Sequence, residues 1–146
     1  MSKFKSNYKI IPEYNLVIEF HKGIADLDMY IKFKSKLIKD ELYKPDMNYF
    51  IDQKNVIFHT TNSDIKKYIE FIESKSKFLG KRKIALITNT PNQVVPTTIY
   101  KQKQKKLNQK TEIFSTNEKA FKWLNYYEPF LINKLSSILI DLENSL

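Results

Sequence analysis

The sequence predicts an α/β protein: a mixed, mostly parallel sheet of about five strands with an N-terminal antiparallel hairpin, flanked by helices and followed by an extra C-terminal helix. Three observations lead there. Short runs rich in β-branched and aromatic residues alternate with longer segments of helical periodicity, the pattern of strands joined by helical crossovers. The first two runs, Tyr8–Ile11 and Leu16–Phe20, flank Pro12-Glu13-Tyr14-Asn15, a proline-seeded turn that makes them a hairpin. Ile84–Ile87 is apolar at every position, as befits a parallel strand covered on both faces.

The elements follow in order. After the hairpin, Gly23 is placed where the chain can turn at positive φ. From Asp26 to Lys39 the residues Leu27, Tyr30, Ile31, Leu37 and Ile38 recur at helical spacing, with Asp26 as N-cap. Met47–Ile51 reads as a buried strand closed by Asp52, and Val56–Phe58 as a separate short extended piece before His59-Thr60-Thr61-Asn62-Ser63. Ile65, Ile69, Ile72 and Leu79 then form the clearest helical stripe, with Gly80 at its C-terminus. After Ile84–Ile87 and the loop Thr88-Asn89-Thr90-Pro91, a helix is expected from near Pro96 to about Asn108. Glu112–Phe114 is the last strand. Ser115 with Glu118 reads as a capping box for the helix carrying Ala120, Phe121, Trp123 and Leu124. An amphipathic helix follows Pro129.

At 146 residues the chain is long enough for one core, and its aromatic fraction of 14% is that of a globular protein. No apolar run reaches the roughly 18 residues of a membrane span, and the polar first residues do not resemble a secretory signal. With no cysteine, disulfide and thiolate chemistry are excluded, and a cytoplasmic location is expected. The formal net charge of +9 invites a nucleic-acid reading, but the excess is almost all lysine and Arg82 is the only arginine. A nucleic-acid partner is not expected, because arginine is the residue that forks onto phosphates and base edges. The denser run Lys101, Lys103, Lys105 and Lys106 reads as a solvated helix face.

No catalytic residue, metal set or cofactor is expected. Two glycines, Gly23 and Gly80, cannot build a phosphate-binding loop or a dinucleotide turn. No Gly-x-Ser-x-Gly elbow occurs, and His21 and His59 lack a second ligand at metal spacing, so each reads as structural. What remains is a rim of polar loops at the carboxyl ends of the parallel strands, where ligands and partners favour binding. Asp52, the segment His59–Ser63, Thr88 with Asn89, and Ser115 should meet there. Hydroxyls at such positions serve first as N-caps, and a helix N-terminus also suits an anion. In the last helix Leu131, Leu135, Ile138 and Leu142 form a seam that packs either on the chain's own sheet or on a second helix in a dimer.

The segments YKIIPEYNLVIEFHKG, MNYFIDQ, KRKIALITNTP and EIFSTNEKAFKWL resemble small bacterial STAS-like proteins, the SpoIIAA-like fold of anti-sigma-factor antagonists. The resemblance runs from about Tyr8 to Leu124, so residues 1–125 read as the domain and 126–146 as an added helix. It implies no turnover and regulation by docking to a protein partner. It also implies that a serine or threonine at the N-terminus of the helix after the third strand is a phosphorylation switch. Counted from Asp52, the family's Asp-Ser pair falls on Thr60-Thr61, with Ser63 as the neighbouring hydroxyl. Thr60 replaces the aspartate, and the glycine that usually follows is absent. The alternative function is a small carrier of an apolar or lipid-like ligand, using aromatic residues around Phe50, Phe58 and Phe71.

Overall fold

The computed structural model, which describes residues 3–146, holds one five-stranded sheet in the order β1-β2-β3-β4-β5. The strands are β1 (Lys5–Ile11), β2 (Leu16–Ile24), β3 (Asn48–Ile57), β4 (Arg82–Ile87) and β5 (Gln109–Phe114). β1 and β2 are antiparallel, and every later neighbour pair is parallel. The crossovers are α1 (Leu27–Leu37), α2 (Asn62–Ser74) with the single turn α3 (Ser76–Leu79), and α4 (Pro91–Lys103). Right-handed crossovers that always step to the next strand in one direction must lie on one face of the sheet. That face carries α1, α2 and α4, and the other is covered by α5 (Asn117–Trp123) and α6 (Pro129–Asn144).

Strand alternation sorts the core accordingly. Leu16, Ile18, Phe20, Phe50, Ala85 and Ile87 pack with Phe121 and the α6 residues Leu131, Leu135, Ile138 and Leu142. Val17, Tyr49, Ile51, Ile84 and Leu86 point the other way, with Leu37 and Ile72. The α6 seam is therefore buried against the chain's own sheet, Leu135 being 1% exposed. Residues 126–146 share a core with the rest of the domain, and Asn7 Nδ2 donates to the Leu142 carbonyl at 3.1 Å.

The hairpin turn is as expected: Pro12–Tyr14 make one 3-10 turn, ended by Asn15 at φ 52. Several boundaries differ from the expectation. β1 begins at Lys5, and β2 continues past Phe20 to Ile24, so Gly23 (φ 94) lies inside a strand that shifts register between Phe20 and Lys22. Asp52 does not close a strand: β3 runs unbroken to Ile57, because β2 offers it a pairing edge as far as Ile24. α4 starts at Pro91, not near Pro96, with Thr90 and Gln93 forming a capping box and Pro96 inside the helix. α5 is capped by Thr116, whose hydroxyl accepts the Lys119 N–H, one residue after the expected Ser115.

Two features fix the geometry around the site. β4 ends at Ile87, opposite Asp52, so the outer edge of β3 beyond Asp52 has no strand neighbour there. Two amide side chains of α4 take that place. Gln93 Nε2 donates to the Lys54 and Val56 carbonyls at 2.9 and 3.0 Å. Asn92 bonds both the N–H and the carbonyl of Phe58, at 2.7 and 2.9 Å. At the opposite end of the sheet, Gly80 (φ 62) presses on Asp46, and a Cβ there would stand 2.8 Å from the Asp46 backbone nitrogen.

Candidate functional site

The residues expected at the rim are only partly brought together. Thr61 is the N-cap of α2: its hydroxyl accepts the Asp64 N–H at 3.1 Å, and the Asp64 carboxylate accepts the Thr61 N–H at 3.0 Å. That reciprocal pairing satisfies two donors that a helix start leaves open, and it holds the Asp64 carboxyl below the usual carboxylate range. Thr61 and Ser63 are exposed and Thr60 is half-buried. Asp52 lies mid-strand, 3% exposed, on the face that also carries Phe50 and therefore away from α2. Burial raises its carboxyl pKa. Thr88 is buried, with its N–H on the Phe114 carbonyl, whereas Asn89 and Ser115 are exposed. Ser115 precedes α5 and so sits beyond the edge strand, separated from Thr61 by β4.

What the rim covers is a cavity of about 160 Å3 between the sheet and α1, α2 and α4. Its inner wall is Ile51, Gln53, Ile84 and Leu86 from the strands and Tyr68 and Tyr100 from the helices. It reaches the surface at Asp26, Phe58, His59 and Thr60. Phe58 is thus the one residue of the trio Phe50, Phe58 and Phe71 on the cavity. Phe50 packs edge-on to Phe121 on the opposite face, and Phe71 stacks on Tyr68.

Polar side chains are buried along this wall. Glu19 is fully buried on β2, and Lys34 from α1 is 1% exposed with its ammonium on the Glu19 carboxylate. His21 Nε2 lies 2.8 Å from Glu19 Oε1, and its Nδ1 lies 2.6 Å from Ser6 Oγ. Tyr30 donates to the same Glu19 oxygen at 3.2 Å. Burial alone would push the Glu19 carboxyl up, but Lys34 and His21 outweigh it and hold the pKa at about 2. Burial also wins over Glu19 at Lys34 and pulls its ammonium down to about 8. Ser6, His21 and Glu19 stand in the order of a hydroxyl–imidazole–carboxylate relay. Ser6 does not line the cavity, however, and the carboxylate is bound to Lys34, so the chain of bonds fixes the position of Glu19. Among the described residues no group of three His, Asp or Glu side chains is placed to hold a metal ion.

Deeper along the wall is Arg82, at the start of β4 and 4% exposed. Its Nε and Nη2 donate to Gln109 Oε1 at 3.2 and 2.8 Å, and its guanidinium lies 4.7 Å from the centre of the Tyr49 ring. Nη1 is buried without a hydrogen-bond partner, as is Gln53 Oε1. Tyr68 and Tyr100 are held as neutral phenols, because burial raises their pKa.

Comparison with known proteins bears on the fold. No family model matches the chain, and no curated protein does. A solved structure, an uncharacterized protein from the DUF3478 family of Shewanella loihica with a SpoIIAA-like fold, matches with a TM-score of 0.56 at 12% identity. The match covers 85% of this chain and 98% of that one. The fold is STAS-like. Within this SpoIIAA-like fold the antiparallel first pair and the mostly parallel five-stranded sheet are as the sequence predicts, and a helix follows the third strand as the resemblance implied. No helix of the described residues is long and apolar enough to cross a membrane.

Sequence reasoning missed the buried group of Glu19, His21, Lys34 and Arg82. One signal was available: in the strand LVIEFHKGI, glutamate and histidine occupy positions on the same face as the apolar Val17.

Proposed function

We propose that this STAS-like domain is a non-enzymatic regulatory module that binds a small molecule in the cavity and reports its occupancy at the α2 N-terminus, where a protein partner docks. The observation that supports this reading is the cavity itself, walled by buried charged and phenolic groups and opening beside Thr60. Core residues are packed without voids of this size, and buried charges cost stability unless they are used or paired. The volume bears on ligand class. Pockets for drug-sized ligands span roughly 300–1,000 Å3, so a cavity of about 160 Å3 suits a much smaller molecule than a lipid chain.

The docking part of the reading rests on the exposure of Thr61 and Ser63 and on the placement of Thr60 and Asp64 at the cavity mouth. A phosphate on Thr61 would face the Asp64 carboxylate inside the capping box, so it would loosen the first turn of α2.

The test is a thermal-shift screen of small neutral and charged fragments, with native mass spectrometry of the purified protein. Compounds that stabilise the wild type should leave Leu86→Trp unmoved, since that side chain fills the cavity, while the circular dichroism of the variant stays native. A wild type that no fragment stabilises, and that carries no bound mass, would overturn the reading.

A further inference from the structure

We infer that the cavity is a site for a small organic anion, its carboxylate paired with Arg82 and its body, about the size of one aromatic ring, against Ile51, Ile84 and Leu86. This rests on the binding-module reading above and adds the chemical class of the ligand.

Among the described residues Glu19 is the one carboxylate buried on this face, and its two oxygens are occupied by Lys34, His21 and Tyr30. It offsets Lys34 and leaves Arg82 over. Among the described residues no carboxylate lies within ion-pair distance of the guanidinium. The neighbouring phenols are neutral, and the Tyr49 ring offers only a cation–π contact. A desolvated cation without a counter-charge is strongly unfavourable. Here it also lines a cavity and has a whole nitrogen, Nη1, buried with nothing to donate to. An anion in the cavity removes both penalties at once.

The residue type adds a second, independent point. The protein uses lysine everywhere else, and its single arginine is this buried one. Guanidinium differs from ammonium in its planar fork, which pairs with a carboxylate in fixed orientation. Gln109 already engages Nε and Nη2, which holds the plane of the group and leaves Nη1 for the ligand. Gln53, whose Oε1 is also without a partner, adds an acceptor on the same wall that a hydroxyl or N–H donor on the ligand's body would meet.

Size sets the rest of the molecule. A dry engineered cavity of about 150 Å3 accepts benzene, and this cavity of about 160 Å3 is comparable. Benzoate and 3-methylbutanoate fit that description, whereas palmitate does not.

Binding is measured by isothermal titration calorimetry on the full chain with benzoate, 3-methylbutanoate, the neutral isostere benzamide, and sodium chloride as the adventitious-ion control. The expected result is saturable binding of at least one carboxylate, about 10- to 100-fold tighter than benzamide, as a charge-assisted pair gives. Arg82→Met should lose that preference while unfolding at the same temperature or higher, because an unpaired buried charge has been removed. Arg82→Gln provides the same readout if the methionine variant does not fold. Benzamide bound as tightly as benzoate would overturn the anion assignment and leave the cavity reading standing. Chloride competing with benzoate at equal concentration would reduce the site to an inorganic anion and overturn the proposed body contacts. A wild type that binds neither ring compound nor 3-methylbutanoate would overturn the inference outright, while stabilisation by other neutral fragments would still uphold the binding module.

Discussion

Replacing Glu19 with glutamine tests the buried charge pair with almost no change of shape. In the wild type the Lys34 ammonium, 1% exposed, rests on a carboxylate that is fully buried. Glutamine keeps the volume and withdraws the charge, leaving the ammonium desolvated and unpaired. Breaking a buried pair in this way costs roughly 3–5 kcal/mol, against a total of about 5–15 kcal/mol for a domain. With a urea m-value near 2 kcal/mol/M, the unfolding midpoint should fall by about 2 M. The companion variant Glu19→Met/Lys34→Met removes both charges and should recover most of that loss. Circular dichroism in urea measures both. The penalty should also depend on pH. Burial lowers the Lys34 pKa to about 8 even with Glu19 present. Without the carboxylate it falls further, while the unfolded value stays near 10.4. The unfolded variant then binds more protons than the folded one, so its stability rises with pH between those values. His21, Tyr30 and Arg82 face the same pair and remain unchanged in both proteins. A loss below about 1 kcal/mol, or a double variant no more stable than the single one, would refute the reasoning.

Further outcomes follow from the same contacts. Because Glu19 is held at about 2, below its ordinary value of 4.5, wild-type stability should fall as pH drops through that interval, with unfolding followed by tryptophan fluorescence. Gly80→Ala places a Cβ against Asp46 at a backbone angle that disfavours side chains, and should cost at least about 2 kcal/mol in thermal denaturation. Leu135→Ala should cost about 2–5 kcal/mol, whereas Ile140→Ala, on the 57% exposed side of the same helix, should stay within about 0.5 kcal/mol.

The fold was legible in the sequence because its signals are local. Pro12 and Asn15 fix the hairpin turn, the run Ile84–Ile87 marks a doubly covered strand, and the stripe Ile65, Ile69 and Ile72 faces the sheet as its spacing implies. Boundaries failed where a distant partner or an unrecognised cap decides them. β3 continues through Asp52-Gln53-Lys54-Asn55 because β2 and the α4 amides satisfy its backbone. Pro96 lies inside a helix because Thr90 and Gln93 nucleate it six residues earlier. The site was hidden for the same reason. Glu19, Lys34 and Arg82 come from three separate elements, and nothing in their spacing announces that all three are buried together. The lone arginine was visible, but its meaning came only with its location on the cavity wall.

The amides of Asn92 and Gln93, which stand in for a missing strand along β3, also decide which wall of the cavity can move. Their four bonds to Lys54, Val56 and Phe58 clamp the start of α4 to the sheet, and together hold it by about 4 kcal/mol. Pro96, Thr97 and Tyr100 ride on that helix and form a fixed jaw. Among the described residues α2 has no comparable clamp at its start, where the side chains of Thr61 and Asp64 bond only to each other's backbone N–H. On the proposed reading, opening for a guest would fall to α2, the helix whose first turn is also the exposed rim, so entry and docking would share one element.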